Sequence, residues 1–353
     1  MSGPGVGIGP GVGVGGDGGG PGTGSGVGAG GTGSGDGPGG IGSGLGVGGS
    51  GSIGGMTMRQ SYPRPSASYR SRAAEPETRG YRRIVRPEVL AYYEARRERD
   101  RLSAGGGRLE WARTWDLLER HLPPPPAVVL DVGGGPGAYA VPLALAGHTV
   151  HLVDAVPLHV EQARKAAEVA CAPFASCTLG DARSLAAPDG SVDAVLLLGP
   201  LYHLLEVEER LDALTEARRV LRPGGVVLAV AISRFASLYD GLRLGWAVDH
   251  PGIVESGLHT GIHRNPDDLE GRFTTAHVAR PEELAVEVFD AGFQDVQLLA
   301  VEGPGGWVAD VDEWLEDPVR REWLLRTIRR VEAEPSLLGA SAHVLAVGRS
   351  PAS

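Results

Sequence analysis

Cysteine is almost absent from this chain: Cys171 and Cys177 are the only two in 353 residues. Their spacing fits no metal or redox motif, so packed free thiols in a reducing, cytoplasmic compartment are expected. Lysine is scarcer still, with Lys165 standing alone among arginines. Acidic residues outnumber Lys and Arg, 43 against 33, for a net charge of −10. That balance argues against a nucleic-acid partner. No apolar run reaches the length that spans a bilayer, so no membrane partner is expected either.

Residues 1–55 carry few large apolar side chains. They are mostly Gly, with Ser, Pro, Val and Thr between, and Asp17 and Asp36 are their only acids. Such a tract buries too little to offset its ordering entropy, and disorder is expected. Glycine does not recur at every third position, which excludes collagen. The basic start and continuous apolar run of a signal peptide are missing too. Met56 and Met58 follow directly, and a translation start there is the alternative to a translated Gly tract. Residues 56–86, rich in Arg, Ser, Pro and Tyr, read as a linker.

The hydrophobic fraction is 42%, enough for one large domain or two small ones. Val89, Leu90, Tyr93 and Leu102 suggest a first helix whose run Glu94–Arg101 is a solvated face. Leu109, Trp111, Trp115, Leu118 and Leu122 suggest a second, ended by Pro123–Pro126. The chain is then organised around Val128–Gly137. Val128 to Leu130 are apolar and β-favouring, as a strand covered on both faces requires. Asp131 closes that strand. Gly133, Gly135 and Gly137 make a turn without Cβ atoms, against which a ligand can lie. The helix through Ala140, Leu143 and Ala146 aims its first N–H groups at that ligand. A dinucleotide fingerprint spaces its glycines G-x-G-x-x-G. Here the third glycine comes one residue early, and an acid sits two before the first. A tight strand-to-helix turn with no ligand also satisfies the loop.

Alternation continues. Thr149–Val153 is a second strand ending in Asp154, about twenty residues past the glycine turn. A carboxylate there can accept from two ribose hydroxyls, or cap the helix running from about Leu158 to Val169. Ser176–Leu179 is a third strand, followed by Gly180-Asp181-Ala182, where Asp181 is a ligand or a turn acid. Val192–Leu198 is a fourth, and Gly199-Pro200-Leu201-Tyr202-His203 leaves its end. A helix through Val207, Leu211, Leu214 and Leu221 turns at Arg222-Pro223-Gly224-Gly225 into a fifth strand, Val226–Ile232. Five βα units imply an α/β fold with a doubly wound parallel sheet and ligands at the carboxyl ends of its strands. Asp131, Asp154, Asp181 and Tyr202-His203 all fall at such ends.

Asp131-x-Gly133-x-Gly135-x-Gly137 resembles motif I of the class I S-adenosylmethionine-dependent methyltransferases. Arg219-Val220-Leu221-Arg222-Pro223-Gly224-Gly225 resembles the helix-to-strand turn of its small-molecule, type 11-like members. The likeness is close from Ala127 to Ile232 and topological from there to Arg349. It implies a Rossmann-like seven-stranded sheet, mostly parallel with an antiparallel last strand, plus N-terminal helices and lid insertions. The domain would run over 87–350, with a core at 127–232, an irregular lid at 233–280 and a helical insertion at about 303–338. The implied cofactor is S-adenosylmethionine. In the family the glycines pass under its amino-acid end, the acid of motif I orients that end, and later acids take the ribose and the adenine amine. Carried over, these positions are Asp131, Gly133, Gly135, Gly137, Asp154 and Asp181, with Ala182 and Leu198 completing the pocket. Tyr92 and Tyr93, in a helix of the kind that covers the cofactor, either face the active site or simply pack.

A methyl group on a sulfonium is already activated, so the protein chiefly aligns a nucleophile and excludes water. A base is needed only where the acceptor must lose a proton. His203 is the first candidate and Tyr202 the second, with wall packing the alternative for both. His259, His263 and His277 are weaker candidates, and no metal site is expected. Enzymes that methylate exocyclic base amines carry an Asn/Asp-Pro-Pro-aromatic run after strand four. Here that place reads Gly199-Pro200-Leu201-Tyr202, which points to a small-molecule acceptor at O, N or C, with a protein acceptor as the alternative. A non-catalytic or regulatory module keeping the fold is the reading from another class. A nicotinamide oxidoreductase ranks third, against the glycine spacing. Asp154→Ala is expected to weaken cofactor binding while leaving the melt of the cofactor-free protein unchanged.

Overall fold

The computed structural model describes residues 85–95 and 101–352. The Gly-rich tract, the linker up to residue 84 and most of the charged run after Glu94 lie outside the described residues. Helices α1 (Pro87–Glu94) and α2 (Gly105–His121) precede the sheet. Then come β1 (Val128–Val132), α3 (Ala140–Leu145), β2 (Thr149–Asp154), α4 (Pro157–Val169), β3 (Ser176–Leu179), β4 (Val192–Leu197), α5 (Val207–Val220) and β5 (Leu221–Ser233). The segment after β5 holds α6 (Ala236–Leu244), α7 (Pro251–Thr260), β6 (Ile262–His263) and β7 (Ala276–Ala279). Helix α8 (Pro281–Asp290) and β8 (Gln294–Ala300) follow. After them come α9 (Val311–Glu316), α10 (Pro318–Val331), α11 (Pro335–Leu338) and β9 (His343–Arg349).

The main sheet runs β3-β2-β1-β4-β5-β9-β8. Its first five strands are parallel, and β9 is antiparallel to both neighbours. This is the expected seven-stranded, doubly wound arrangement. Alternate residues feed two cores. Val129, Ala194, Leu196, Leu228 and Leu345 face α2, α3 and α4 through Leu117, Leu143 and Ala163. Leu130, Val195, Leu197, Val227 and Ala346 face α5 and α8 through Leu214, Ala217, Leu284 and Val288. A strand covered on both sides has no polar face, hence the nearly unbroken apolar runs in β1, β4 and β5. The strand order reverses between β1 and β4, which opens a crevice at their carboxyl ends.

Three expectations need correction. Arg222–Gly225 is not a turn before the fifth strand but a bulge inside β5. Val192 pairs with Leu221 and Ala194 with Val226, so Asp193 alone faces the extra residues. The lid is not irregular: it folds into α6, α7 and the β6–β7 hairpin, and β7 pairs in parallel with Ile232 and Ser233 of β5. Sequence periodicity missed it because α6 buries only Gly241 and β6 has two residues. Cys171 is exposed rather than packed, in a left-handed conformation (φ 51°) just past α4. No helix among the described residues is long and apolar enough to cross a membrane.

The helical insertion packs back on α2, where Leu109 meets Leu315, Leu324 and Ile328. A fully buried Arg113 fixes it there. Arg113 donates to Val301 O (3.0 Å) and Glu332 Oε2 (2.6 Å) and also pairs with Asp116. Helix α2 and the β8–β9 insertion therefore form one packed unit.

Candidate active site

A cavity of about 920 Å³ occupies the crevice. Its first wall is the loop after β1. Gly133, Gly135 and Gly137 have φ of 70°, 54° and 91°, the left-handed region that side chains disfavour. A Cβ on Gly133 would lie 2.8 Å from Pro200 Cδ, and one on Gly134 2.7 Å from Asp131 Oδ2. Only bare backbone fits between the β1 acid and the β4 loop. Gly137 does not line the cavity. A Cβ there would meet Val141, Ala163 and Phe174, so this glycine serves helix packing.

Asp131 is 1% exposed, and its Oδ2 has no hydrogen-bond partner. Burial, then the neighbouring Asp154 charge, pushes its carboxyl up to about 7. A buried carboxylate edge left unpaired is costly, and a cationic group above the loop would satisfy it. The pyrophosphate of a dinucleotide would instead meet two acids. The residues present therefore fit the ammonium end of an amino-acid-bearing cofactor and disfavour a nicotinamide one.

Asp154 closes β2 and ties the loop down. Its Oδ2 accepts from Gly135 N (2.8 Å), and its Oδ1 accepts from Val156 N (2.8 Å) and lies 3.2 Å from His159 Nδ1. Three of its roughly four acceptor positions are thus taken, leaving room for one ribose hydroxyl unless His159 yields. Asp181 takes the turn role. Its Oδ1 accepts from Arg183 N (2.9 Å), and the Arg183 guanidinium grips the carboxylate (2.8 Å) while reaching Glu209 (2.5 Å). Ala182, Leu198, Tyr202 and His203 also line the cavity.

His203 is closed in rather than poised. Its Nε2 is 2.5 Å from Tyr93 Oη, and Tyr93, Tyr202 and Phe273 surround the ring. Burial pushes its imidazole down to about 4, so it is neutral and weakly basic near pH 7. Tyr93 thus faces the site, while Tyr92 packs edge-on against Tyr93 and Phe273. The other histidines stand elsewhere. His259 is exposed on α7, and His263 is buried between Ser237 Oγ (2.9 Å) and Phe273 O (3.1 Å). Neither these nor His277 lines the cavity.

Sequence reasoning missed His159, Arg183, Phe273 and the polar group Arg101, Glu110 and His343, all close to or lining the cavity. Only Arg183 carried a local signal, two residues past Asp181. Ligand atoms of Glu110, Glu302 and His343 lie within 4.8 Å of one another. Arg101 and the imidazolium of His343 already balance those two carboxylates, so the group is an ion-pair network rather than a cation site.

Comparison with known proteins agrees with this geometry. Residues 129–225 match the family model of the methyltransferase domain. The chain is 30% identical over 132 residues to a ubiquinone/menaquinone biosynthesis C-methyltransferase of Caulobacter, covering 35% of this chain and 51% of that protein. It is 31% identical over 125 residues to a ubiquinone biosynthesis O-methyltransferase of Methylocella silvestris, covering 34% and 47%. A tRNA 5-carboxymethoxyuridine methyltransferase of Escherichia coli is 35% identical over 129 residues, covering 34% and 47%. The chain thus spans about half the length of the curated relatives it matches. A crystal structure of a SAM-dependent methyltransferase from Methanosarcina mazei aligns over 67% of this chain and 98% of that one, at 19% identity and a TM-score of 0.46. Glycine loop, strand order and family match coincide on the same residues: residues 129–225 match a methyltransferase domain and lie on a doubly wound, Rossmann-like sheet.

Proposed function

We propose that the protein transfers a methyl group from S-adenosylmethionine to a small-molecule acceptor by in-line displacement. The observation that carries this reading is the unpartnered Oδ2 of Asp131 beneath the glycine loop. Asp131, Gly133 and Gly135 would hold the amino-acid end of the cofactor, and Asp154 the ribose. Asp181, Ala182 and Leu198 would hold the adenine, with Arg183 beside Asp181. When bound, the cofactor supplies an electrophilic methyl group. The chain's own work is then to orient the acceptor and exclude water. Helix α1 and Phe273 support the second task, since Tyr93 lines the cavity and is backed by Tyr92, which packs against both Tyr93 and Phe273 with ring centroids 5.3 Å apart in each pair. The net charge of −10 and the acids lining the pocket support a small acceptor over a polyanion.

The test is a thermal-shift and calorimetric titration of the full chain with S-adenosylhomocysteine, NADH and buffer in parallel. An upward shift with S-adenosylhomocysteine alone is expected. A cooperatively melting protein that binds neither ligand would sink the reading and favour a non-catalytic module.

A further inference from the structure

Past the glycine loop the cavity continues. Beyond Leu198 it passes Val230 of β5 and reaches His343, which opens β9 opposite Ile232. If the cofactor fills the half over β1, β2 and β3, this second half receives the acceptor. Its floor is the charge network noted above, and its geometry is tightly determined. His343 Nδ1 lies 2.6 Å from Glu302 Oε1. Glu302 is 4% exposed, and its Oε2 accepts from Ser341 Oγ (2.8 Å) and His343 N (2.9 Å). Ser341 Oγ in turn accepts from the backbone N–H groups of Glu302 (3.1 Å) and Gly303 (3.0 Å). The carboxylate cannot swing away, so the imidazole orientation is fixed. With Nδ1 committed, Nε2 is the ring's remaining polar edge, and 16% of the side chain stays accessible where it lines the cavity.

We propose that His343, oriented by Glu302, donates from Nε2 to an oxygen-acid acceptor (a phenol, enol or carboxylic acid) and holds the acceptor oxygen as its anion. This rests on the methyl-transfer reading. The charged groups facing the ring are Glu302 after β8, Glu110 of α2 and Arg101 just before α2. Burial disfavours the imidazolium, but Glu110 and Glu302 outweigh it and raise His343 to about 9. At neutral pH the ring is therefore a cationic donor, not a base. An acceptor arriving as the neutral acid gives its proton to solvent, while the Nε2 proton stays on the ring. The acceptor oxygen then bonds to the methyl carbon, and the methyl–sulfur bond breaks with its electron pair left on sulfur. The ether or ester formed is neutral and loses its ion pair with His343, which favours release. A protonated amine would be repelled by the same imidazolium.

The experiment titrates p-nitrophenol, whose phenolate absorbance reports its own ionisation, into the full chain preloaded with S-adenosylhomocysteine at pH 6. Bound ligand should be phenolate although the free ligand is mostly neutral. His343→Asn should weaken binding about tenfold or more, the loss of one charge-assisted hydrogen bond, and abolish the phenolate signal. Glu302→Gln should lower the pH at which wild-type binding falls away from near 9, with S-adenosylhomocysteine affinity unchanged in both variants. Neutral phenol bound by the wild type, no binding by the loaded wild type, or wild-type behaviour of His343→Asn would each overturn the inference. Failure of the wild type to load S-adenosylhomocysteine would overturn the methyl-transfer reading itself.

Discussion

Asp131→Asn separates the cost of the site from its use. In the folded, cofactor-free protein the Asp131 carboxyl is pushed up to about 7, mainly by burial, against an ordinary value of 3.8. A raised acid favours the folded state while protonated, below the unfolded value, and that advantage is lost as pH rises through the folded value. Between pH 5 and 7 the loss is about 1.4 kcal/mol per pH unit, or about 3 kcal/mol in all, with little further change to pH 8. Asparagine has no charge to desolvate, so its stability carries no such slope. Urea unfolding of wild type and Asp131→Asn at pH 5 and pH 8 measures the difference. The variant should gain about 2–3 kcal/mol on the wild type between the two conditions. Any fixed penalty for burying the new amide cancels in this comparison. At roughly 2–4 °C per kcal/mol for a domain of this size, the melting temperatures should diverge visibly. The same variant should bind S-adenosylmethionine more weakly. Stability curves that stay parallel from pH 5 to pH 8 would refute the burial argument, and with it the reason for assigning a cation to that loop.

Cofactor binding to the wild type should release a proton below pH 7, because a cation over Asp131 favours its carboxylate. Calorimetry in two buffers of different ionisation enthalpy reads that release, and affinity should rise with pH and level off above 7. Asp154→Ala should destabilise the cofactor-free protein by roughly 2–4 kcal/mol, not leave its melt unchanged, since the N–H groups of Gly135 and Val156 lose their acceptor. His203→Asn should leave the shape of any pH–rate profile above pH 6 unaltered, because a ring titrating near 4 governs nothing there. Arg210→Met should cost about 3–5 kcal/mol in urea unfolding by stranding buried Glu287 and freeing Leu204 O and Leu205 O behind His203. Adding Glu287→Leu should recover much of that loss.

The sheet was legible because its signals are local. β1 and β4 are short, mostly apolar runs, β2 and β3 are mixed ones, all lie near Gly, Pro or Asp, and Asp131 and Asp154 sit at or near the ends of β1 and β2. The half of the cavity nearest β9 was not legible. His343, Glu302 and Glu110 are brought together by β9 entering beside β5 and by α2 crossing behind it, from positions far apart in the chain. No spacing rule links them. The surroundings of His203 and Asp154 were hidden for a related reason. Their types and places suit a base and a free ribose ligand, but Tyr93 and Phe273 enclose the first, and Gly135, Val156 and His159 engage the second. Burial and partner saturation are tertiary properties that a residue's identity does not carry.

The position of β9 has a consequence for how the protein is made. This strand lies between β5 and β8 and pairs with β5 from Val226 to Ile232, along a stretch almost free of polar side chains. While the ribosome is still building residues before 343, that edge of β5 has no permanent partner, although β1 to β5 are already complete. A long, flat, apolar edge is a template for intermolecular pairing. Nascent chains and C-terminal truncations stopping short of His343 should therefore be clients for chaperones and prone to aggregate, even though every residue proposed above to hold the cofactor has by then been synthesised.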